Sequence, residues 1–173
     1  GPAGGGTTLT ITGANFASGA TVTISGAAAP AVSVTGGVLV AMTGAGVPGP
    51  ATVVVTNVDG RGASLPAGFT YLGTPPTLSA VAPGSGPAAG GTTIQLTVTG
   101  FLAGSTVRVN GVTAGGVVVV GPTTLTTVTP DVRPALGPLP VAVTNVDGQG
   151  ATLAGAFNAL SLAPTVTAVA PGS

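Results

Sequence analysis

The 173-residue sequence contains no Cys, His, Lys, Glu or Trp, and these absences remove most protein chemistry before any motif is considered. Without Cys there is no disulfide framework. Without His or Cys, zinc, haem and iron–sulfur centres lack their usual ligands, and a Ser-His or Cys-His nucleophile cannot be assembled. Without Lys, the Lys-Asn isopeptide crosslink of some bacterial surface fibres is also excluded, so packing must supply the stability. Three Arg and three Asp give a formal net charge of zero. Three scattered Arg form no basic patch, and a nucleic-acid partner is excluded on that ground. Mean hydropathy is high, at +0.70, yet long hydrophobic runs are missing because Gly, Thr or Pro interrupts every few positions. A spanning helix needs about 18 consecutive apolar residues, so no membrane insertion is expected and the chain reads as soluble or assembled. The first residues show neither an initiator Met nor a leader pattern, which leads us to expect a processed or internal start.

What the chain does contain is Gly (31), Thr (28), Ala (28), Val (26) and Pro (16), three quarters of its length. That composition favours strands and turns over helix. The segments also repeat. Gly1-Pro-Ala-Gly-Gly-Gly-Thr-Thr8 returns as Gly86-Pro-Ala-Ala-Gly-Gly-Thr-Thr93, an offset of 85 residues. Thr56-Asn-Val-Asp-Gly60 returns as Thr144-Asn-Val-Asp-Gly148, and Phe69 as Phe157, at an offset of 88. Pro76-Thr-Leu-Ser-Ala-Val-Ala-Pro-Gly-Ser85 is matched by Pro164-Thr-Val-Thr-Ala-Val-Ala-Pro-Gly-Ser173. The expected organisation is unit one at 1–75 without its first strand, a complete unit two at 76–163, and at 164–173 the first strand of a following unit. This phase fits a window cut from a longer tandem array, the preferred expectation, or a last segment that completes unit one of another molecule by strand addition.

Within unit two, seven alternating runs separated by Gly/Pro turns read as an all-β immunoglobulin-like sandwich of about seven strands: 77–81, 92–99, 105–110, 117–120, 124–129, 138–145 and 152–160. Unit one repeats all but the first. In Ser105-Thr-Val-Arg-Val-Asn110, Val107 and Val109 point to one face and Thr106, Arg108 and Asn110 to the other, which places Arg108 on the surface. The valines of Gly116-Val-Val-Val-Val-Gly121 occupy both faces of their run. Either other protein covers Val118 and Val119, or the strand is folded into the core edge.

The order Pro76-x4-Val81-x-Pro83, Gly90-Gly-Thr-Thr93, Gly13-Ala-Asn-Phe16, Thr129-Pro130, Val53-x-Val-x-Asn-x-Asp-Gly60 and Phe69-Thr-Tyr71 resembles the IPT/TIG immunoglobulin-like domain, over the whole chain. Unit two departs from the pattern at Thr99-Gly-Phe101 and Phe157-Asn-Ala159, and unit one at Thr43-Gly44. The resemblance implies a sandwich used as spacer, fibre or binding module in surface proteins, receptors, starch-acting enzymes and some transcription factors. It implies no single activity.

Candidate sites are few. Asn57, Asp59 and Gly60, and again Asn145, Asp147 and Gly148, offer oxygens that a Ca²⁺ ion could use, but one carboxylate per turn is too few, and Asp-Gly between alternating runs reads as a hairpin. No metal site is therefore expected. A glycosidase pair is excluded, because a strand of eight residues at about 3.3 Å each separates Asp131 from Asp147. Phe16, Phe69, Phe101 and Phe157 occupy matched positions and are expected in the cores rather than as sugar platforms. Tyr71, unmatched, is the best candidate for a contact at the junction. No catalytic residue and no cofactor are expected. The expected role is a structural repeat of an extracellular fibre, stalk, sheath or filament whose partners are copies of itself, with Thr165, Val166, Val169, Val118 and Val119 as assembly residues. The alternative is an adhesive or carbohydrate-binding module with a surface glycan as partner.

Overall fold

A computed structural model describes residues 1–30, 32–162, 164 and 166–168. These residues are all-β. The first eight strands are β1 (Thr8–Thr12), β2 (Thr21–Ile24), β3 (Ala27–Ala28), β4 (Ser33–Thr35), β5 (Val38–Met42), β6 (Gly49–Thr56), β7 (Gly62–Tyr71) and β8 (Thr77–Ala82). They are followed by β9 (Ser85–Pro87), β10 (Thr93–Thr99), β11 (Thr106–Val109), β12 (Val112–Thr113), β13 (Gly115–Gly121), β14 (Thr124–Val128), β15 (Gly137–Thr144) and β16 (Gly150–Leu160). Two compact units result. One holds Gly1–Pro75 with the loops Leu102–Gly104 and Asn145–Gln149; the other holds Pro76–Phe101, Ser105–Thr144 and the residues from Gly150 onward.

Each sandwich is built from period-two alternation. In β10, Ile94, Leu96 and Val98 are fully buried while the residues between them face water. β11 buries Val107 and Val109 and leaves Arg108 outside. The tight turns joining β2 to β3 and β11 to β12 have both central residues at positive φ: Ser25 and Gly26 (49° and 83°), Asn110 and Gly111 (50° and 80°). That conformation matches the strand twist and explains an Asn-Gly pair between two short strands.

Unit two closes with a four-stranded sheet, β13-β14-β10-β8, against a five-stranded one, β12-β11-β15-β16-β9. Unit one has β1-β5-β4 and β3-β2-β6-β7. The difference lies at β1. β10, its repeat partner, pairs on one side with β14 and on the other with β8, whereas β1 pairs only with β5 and ends two residues earlier in repeat register. Among the described residues the outer edge of β1 has no strand partner. Leu9 and Ile11 are half-buried where Ile94 and Leu96 are sealed.

Three expectations are modified. Of the four Phe, only Phe157 is fully buried; Phe16, Phe69 and Phe101 are partly buried and pack against the cores. Phe16 and Phe101 stand on loops after β1 and β10, and Phe69 lacks the cover that β8 gives β16 in unit two. Tyr71 belongs to the core of unit one: it is buried, its hydroxyl donates to the Gly44 carbonyl at 3.0 Å, and its ring meets Phe69 edge-on with centroids 4.9 Å apart. Val118, Val119 and Val120 are 54%, 55% and 63% exposed on the edge strand β13, so they are not folded into the core edge. Only Val117 packs on the core. Of the expected final strand, Thr165 and Val169 lie outside the described residues; Val166 is 80% exposed and makes no strand pairing among the described residues.

The Tyr71 ring sits where a Cβ on Gly46 would stand, within 2.5 Å of its Cζ. Gly46→Ala should therefore cost unit one about 1–3 kcal/mol by overpacking, and Tyr71→Phe about 1 kcal/mol for the lost hydrogen bond. Urea unfolding of each variant checks both, and an unchanged midpoint for Gly46→Ala would contradict this seating of the ring.

Candidate functional site

All three carboxylates of the chain do the same local work. Asp59 accepts from the N–H of Arg61 at 3.0 Å, Asp131 from that of Arg133 at 3.0 Å, and Asp147 from that of Gln149 at 3.1 Å. Each side chain thus folds the backbone two residues on, as short acidic residues in turns do. Gly60 and Gly148 follow at φ of 82° and 84°, and their N–H groups donate to the carbonyls of Asn57 and Asn145.

The asparagines that open these turns hold neighbouring loops. Asn57 accepts from the Ala17 N–H at 3.0 Å and donates to the Asn15 carbonyl at 2.8 Å. Asn145 accepts from the Leu102 N–H at 3.2 Å. Both amides are engaged with backbone, as buried polar groups must be.

Asp59 and Asp147 share a sequence motif but not an environment. Asp59 is exposed, with the Arg61 guanidinium 4.0 Å away, a geometry of little energetic weight. Asp147 is buried, and its carboxylate also accepts from the Gly73 N–H at 2.8 Å and from the Gln149 amide at 2.9 Å. Burial pushes the Asp147 carboxyl up, but the hydrogen bonds from Gly73 and Gln149 outweigh it and hold the group below the ordinary range. The pairing of Asp131 with Arg133 was not read from the sequence, although the D-x-R spacing carries the signal. Arg133 donates from Nε at 3.0 and 3.1 Å, and this side-chain hydrogen bonding, reinforced by the Arg133 N–H, holds Asp131 at about 2.

Two of the concave places in unit one border the candidate residues. A cavity of about 400 Å³ is bordered by Asn15, Phe16, Asn57, Asp59 and Arg61. A groove of about 380 Å³ runs along β1, lined by Leu9, Ile11, Phe16, Val53, Val55 and Leu65 among others. The groove is lined mostly by apolar residues, with Thr10, Thr12 and Ser64 among them, and its lining carries no titratable group. Among the described residues no cluster of three Asp could hold a metal ion, and no helix is long and apolar enough to cross a membrane.

The IPT/TIG domain model matches residues 1–71 and again 76–158, and the chain belongs to that family. No curated protein matches the sequence. Solved structures with a similar fold include the plexin A4 full extracellular region, at 22% identity over 92% of this chain and 17% of that one, with a TM-score of 0.46. Another is SGBP-B from a complex xyloglucan utilization locus in Bacteroides uniformis, at 21% identity over 91% of this chain and 46% of that one, with a TM-score of 0.43. The C-terminal 282-residue fragment of intimin, in complex with the translocated intimin receptor's intimin-binding domain, is 15% identical over 90% of this chain and 51% of that one, at a TM-score of 0.32. The chain therefore spans between about a sixth and a half of the length of these proteins.

The turns make a graded prediction. Asp59→Ala should cost under about 1 kcal/mol, and Asp147→Ala about 1–3 kcal/mol because it orphans the Gly73 N–H. Neither variant should change any response to Ca²⁺, and a melting temperature that rises with Ca²⁺ and falls with chelator would contradict the turn assignment. Asp131 and Asp147 are held below their ordinary 3.8, so the folded state binds fewer protons than the unfolded one as pH falls past 4. Their stabilisation is present in full above that range and is lost as pH drops toward about 2. The melting temperature should be level from pH 5 to 7 and decline below 4, with a smaller decline in Asp147→Asn.

Proposed function

We propose that this chain is a non-catalytic structural repeat of an extracellular fibre, stalk, sheath or filament, with copies of itself as partners, assembled by end-to-end continuation or strand exchange of its units. The observation that carries this reading is the use of every carboxylate as a turn cap. A chain without His, Cys, Lys or Glu has no other side chain of the kind that ordinarily activates a Ser, Thr or Tyr hydroxyl. What remains is a repeated sandwich with a charge-poor surface, whose contacts are insensitive to salt and pH because so little of it titrates. Near-zero charge also removes repulsion between packed copies.

A second reading, an adhesive or glycan-binding module, is favoured by the cavity that sets Phe16 beside Asn15, Asp59 and Arg61. The Asn57 amide bordering it is already spent on Ala17 and Asn15, which leaves few directed polar groups for a sugar.

Immunogold labelling of intact cells with an antibody to this chain tests the first reading. Extended labelled structures outside the cell are expected, and label confined to the cytoplasm would refute it. Denaturing electrophoresis then separates the two modes of assembly: a continuous array runs at many multiples of 15.9 kDa, exchanged subunits near that mass. Because Val118 and Val119 are exposed in the folded chain, Val118→Asp and Val119→Asp should leave its melting temperature nearly unchanged. Assembly should nevertheless be blocked by a buried unpaired charge costing several kcal/mol. Assembly that survives both changes, read by light scattering, would show that β13 is not at an interface.

A further inference from the structure

We propose that Asn110-Gly111, the turn between β11 and β12, is a self-modification site at which the Asn110 side-chain amide is lost through a cyclic imide, leaving aspartate or isoaspartate. The inference concerns unit two alone and is independent of what the chain assembles into.

The residue types single out this pair. The chain has five Asn, at 15, 57, 110, 145 and 158, followed in turn by Phe, Val, Gly, Val and Ala. To close the ring, the backbone nitrogen of the following residue must reach the Asn Cγ, and a Cβ on that residue restricts the backbone and crowds the approach. Only Asn110 is followed by a residue without one. Asn110 and Gly111 are both exposed, and no atom beyond the chain neighbours lies within 4 Å of where a Cβ on Gly111 would stand. Among the described residues the Gly111 N–H has no hydrogen-bond acceptor and the Asn110 amide has no partner. The Asn57 amide, by contrast, is committed to Ala17 and Asn15, and Asn145 is buried.

Arg108 adds a charge where the reaction needs one. By strand parity it shares the outward face with Asn110, and its guanidinium reaches over the turn to donate to the Gly111 carbonyl at 3.4 Å. A cation there stabilises the negative charge that develops first on the attacking nitrogen and then on the oxygen at Cγ. Hydroxide takes the Gly111 N–H proton, the nitrogen attacks Asn110 Cγ, and a C–N bond forms. The Cγ–Nδ2 bond then breaks, and Nδ2 leaves as ammonia with a proton from water. Water next opens the imide at either carbonyl: one opening gives aspartate with the main chain unchanged, the other isoaspartate with the main chain routed through the side chain. No oxidant or reductant takes part. β12 is two residues long and exposed, and it pairs with β11 at two positions, so the turn can open for ring closure while the sandwich stays folded.

Unit one is an internal control. Ser25 and Gly26 make the same turn, at φ of 49° and 83° against 50° and 80° for Asn110 and Gly111. The conformation is shared, but Ser25 has no amide to lose. Unit two alone therefore gains a carboxylate with age, placed beside Arg108 in a chain whose formal net charge begins at zero.

The purified chain, held in neutral buffer and sampled over time, tests this by pepsin digestion and mass spectrometry, with fragmentation to locate isoaspartate. Conversion of amide to acid should be confined to Asn110, with isoaspartate among the products. Arg108→Gln should slow it at least about threefold at an unchanged melting temperature, and Arg108→Lys should restore the rate. Gly111→Ala should slow it at least about tenfold. Because that variant strains a positive-φ position, Asn110→Ser accompanies it, and should melt with the wild type and form no acid at the turn. An Asn110 amide that stays intact in the folded chain, under conditions where a synthetic peptide of residues 106–113 converts, would overturn the proposal. Equal conversion at the other Asn residues would overturn the selectivity argued here, and a wild-type rate in Arg108→Gln would overturn the part given to Arg108.

Discussion

Each sandwich depends on one row of inward-facing aliphatic side chains per strand, held in register by the backbone ladder, because this chain has almost nothing else with which to hold a fold. Disulfides and Lys-Asn crosslinks are excluded by composition, and the ion pair of Asp131 with Arg133 is exposed. Burial of Ile94, Leu96, Val98, Val107, Val109, Val141 and Val143 at full depth therefore supplies the driving force in unit two. Polar side chains enter only where the ladder stops. Asp59, Asp131 and Asp147 cap turns, Asn57 and Asn145 tie loops, and the Tyr71 hydroxyl finds a carbonyl.

The same dependence explains why the two units differ despite their shared sequence pattern. A strand face contributes fully only when a neighbour excludes water from it, so removing a first strand costs more than that strand's own side chains. It also loosens those it would have covered. Leu153 and Leu65, or Phe157 and Phe69, are pairs in which residue type and position are constant and only the cover changes.

Much of this was legible in the sequence. Alternation in Ser105–Asn110 identified which side of β11 is buried, because period two ties residue parity to a face. The Asp-Gly turns were also legible, since a short acidic side chain followed by a positive-φ Gly has one economical conformation. Tyr71 was misplaced for lack of a counterpart in unit two, yet Phe69 and Tyr71 are two apart on one strand and must share a face, so parity was the signal that mattered. The contrasting environments of Asp59 and Asp147 could not be read from their shared motif, because the difference comes from Gly73 and Gln149. The outward Val118 and Val119 resisted reading for a different reason: four consecutive valines have no period, so neither face is favoured.

Sheet edges bring these strands together. Soluble proteins commonly guard an edge with an inward charge, a Lys or a covering loop. This chain has no Lys, and neither β1 nor β13 carries a charged residue. One edge borders a groove lined mostly by apolar residues, and the other presents Val118, Val119 and Val120 to solvent. For a free domain both edges would be aggregation templates, with no net charge to keep copies apart. They cease to be a liability if regular association is the working state. The absence of charge then has a positive role, since the contacts that close these edges gain from apolar burial and backbone pairing and bury no ions at the interface.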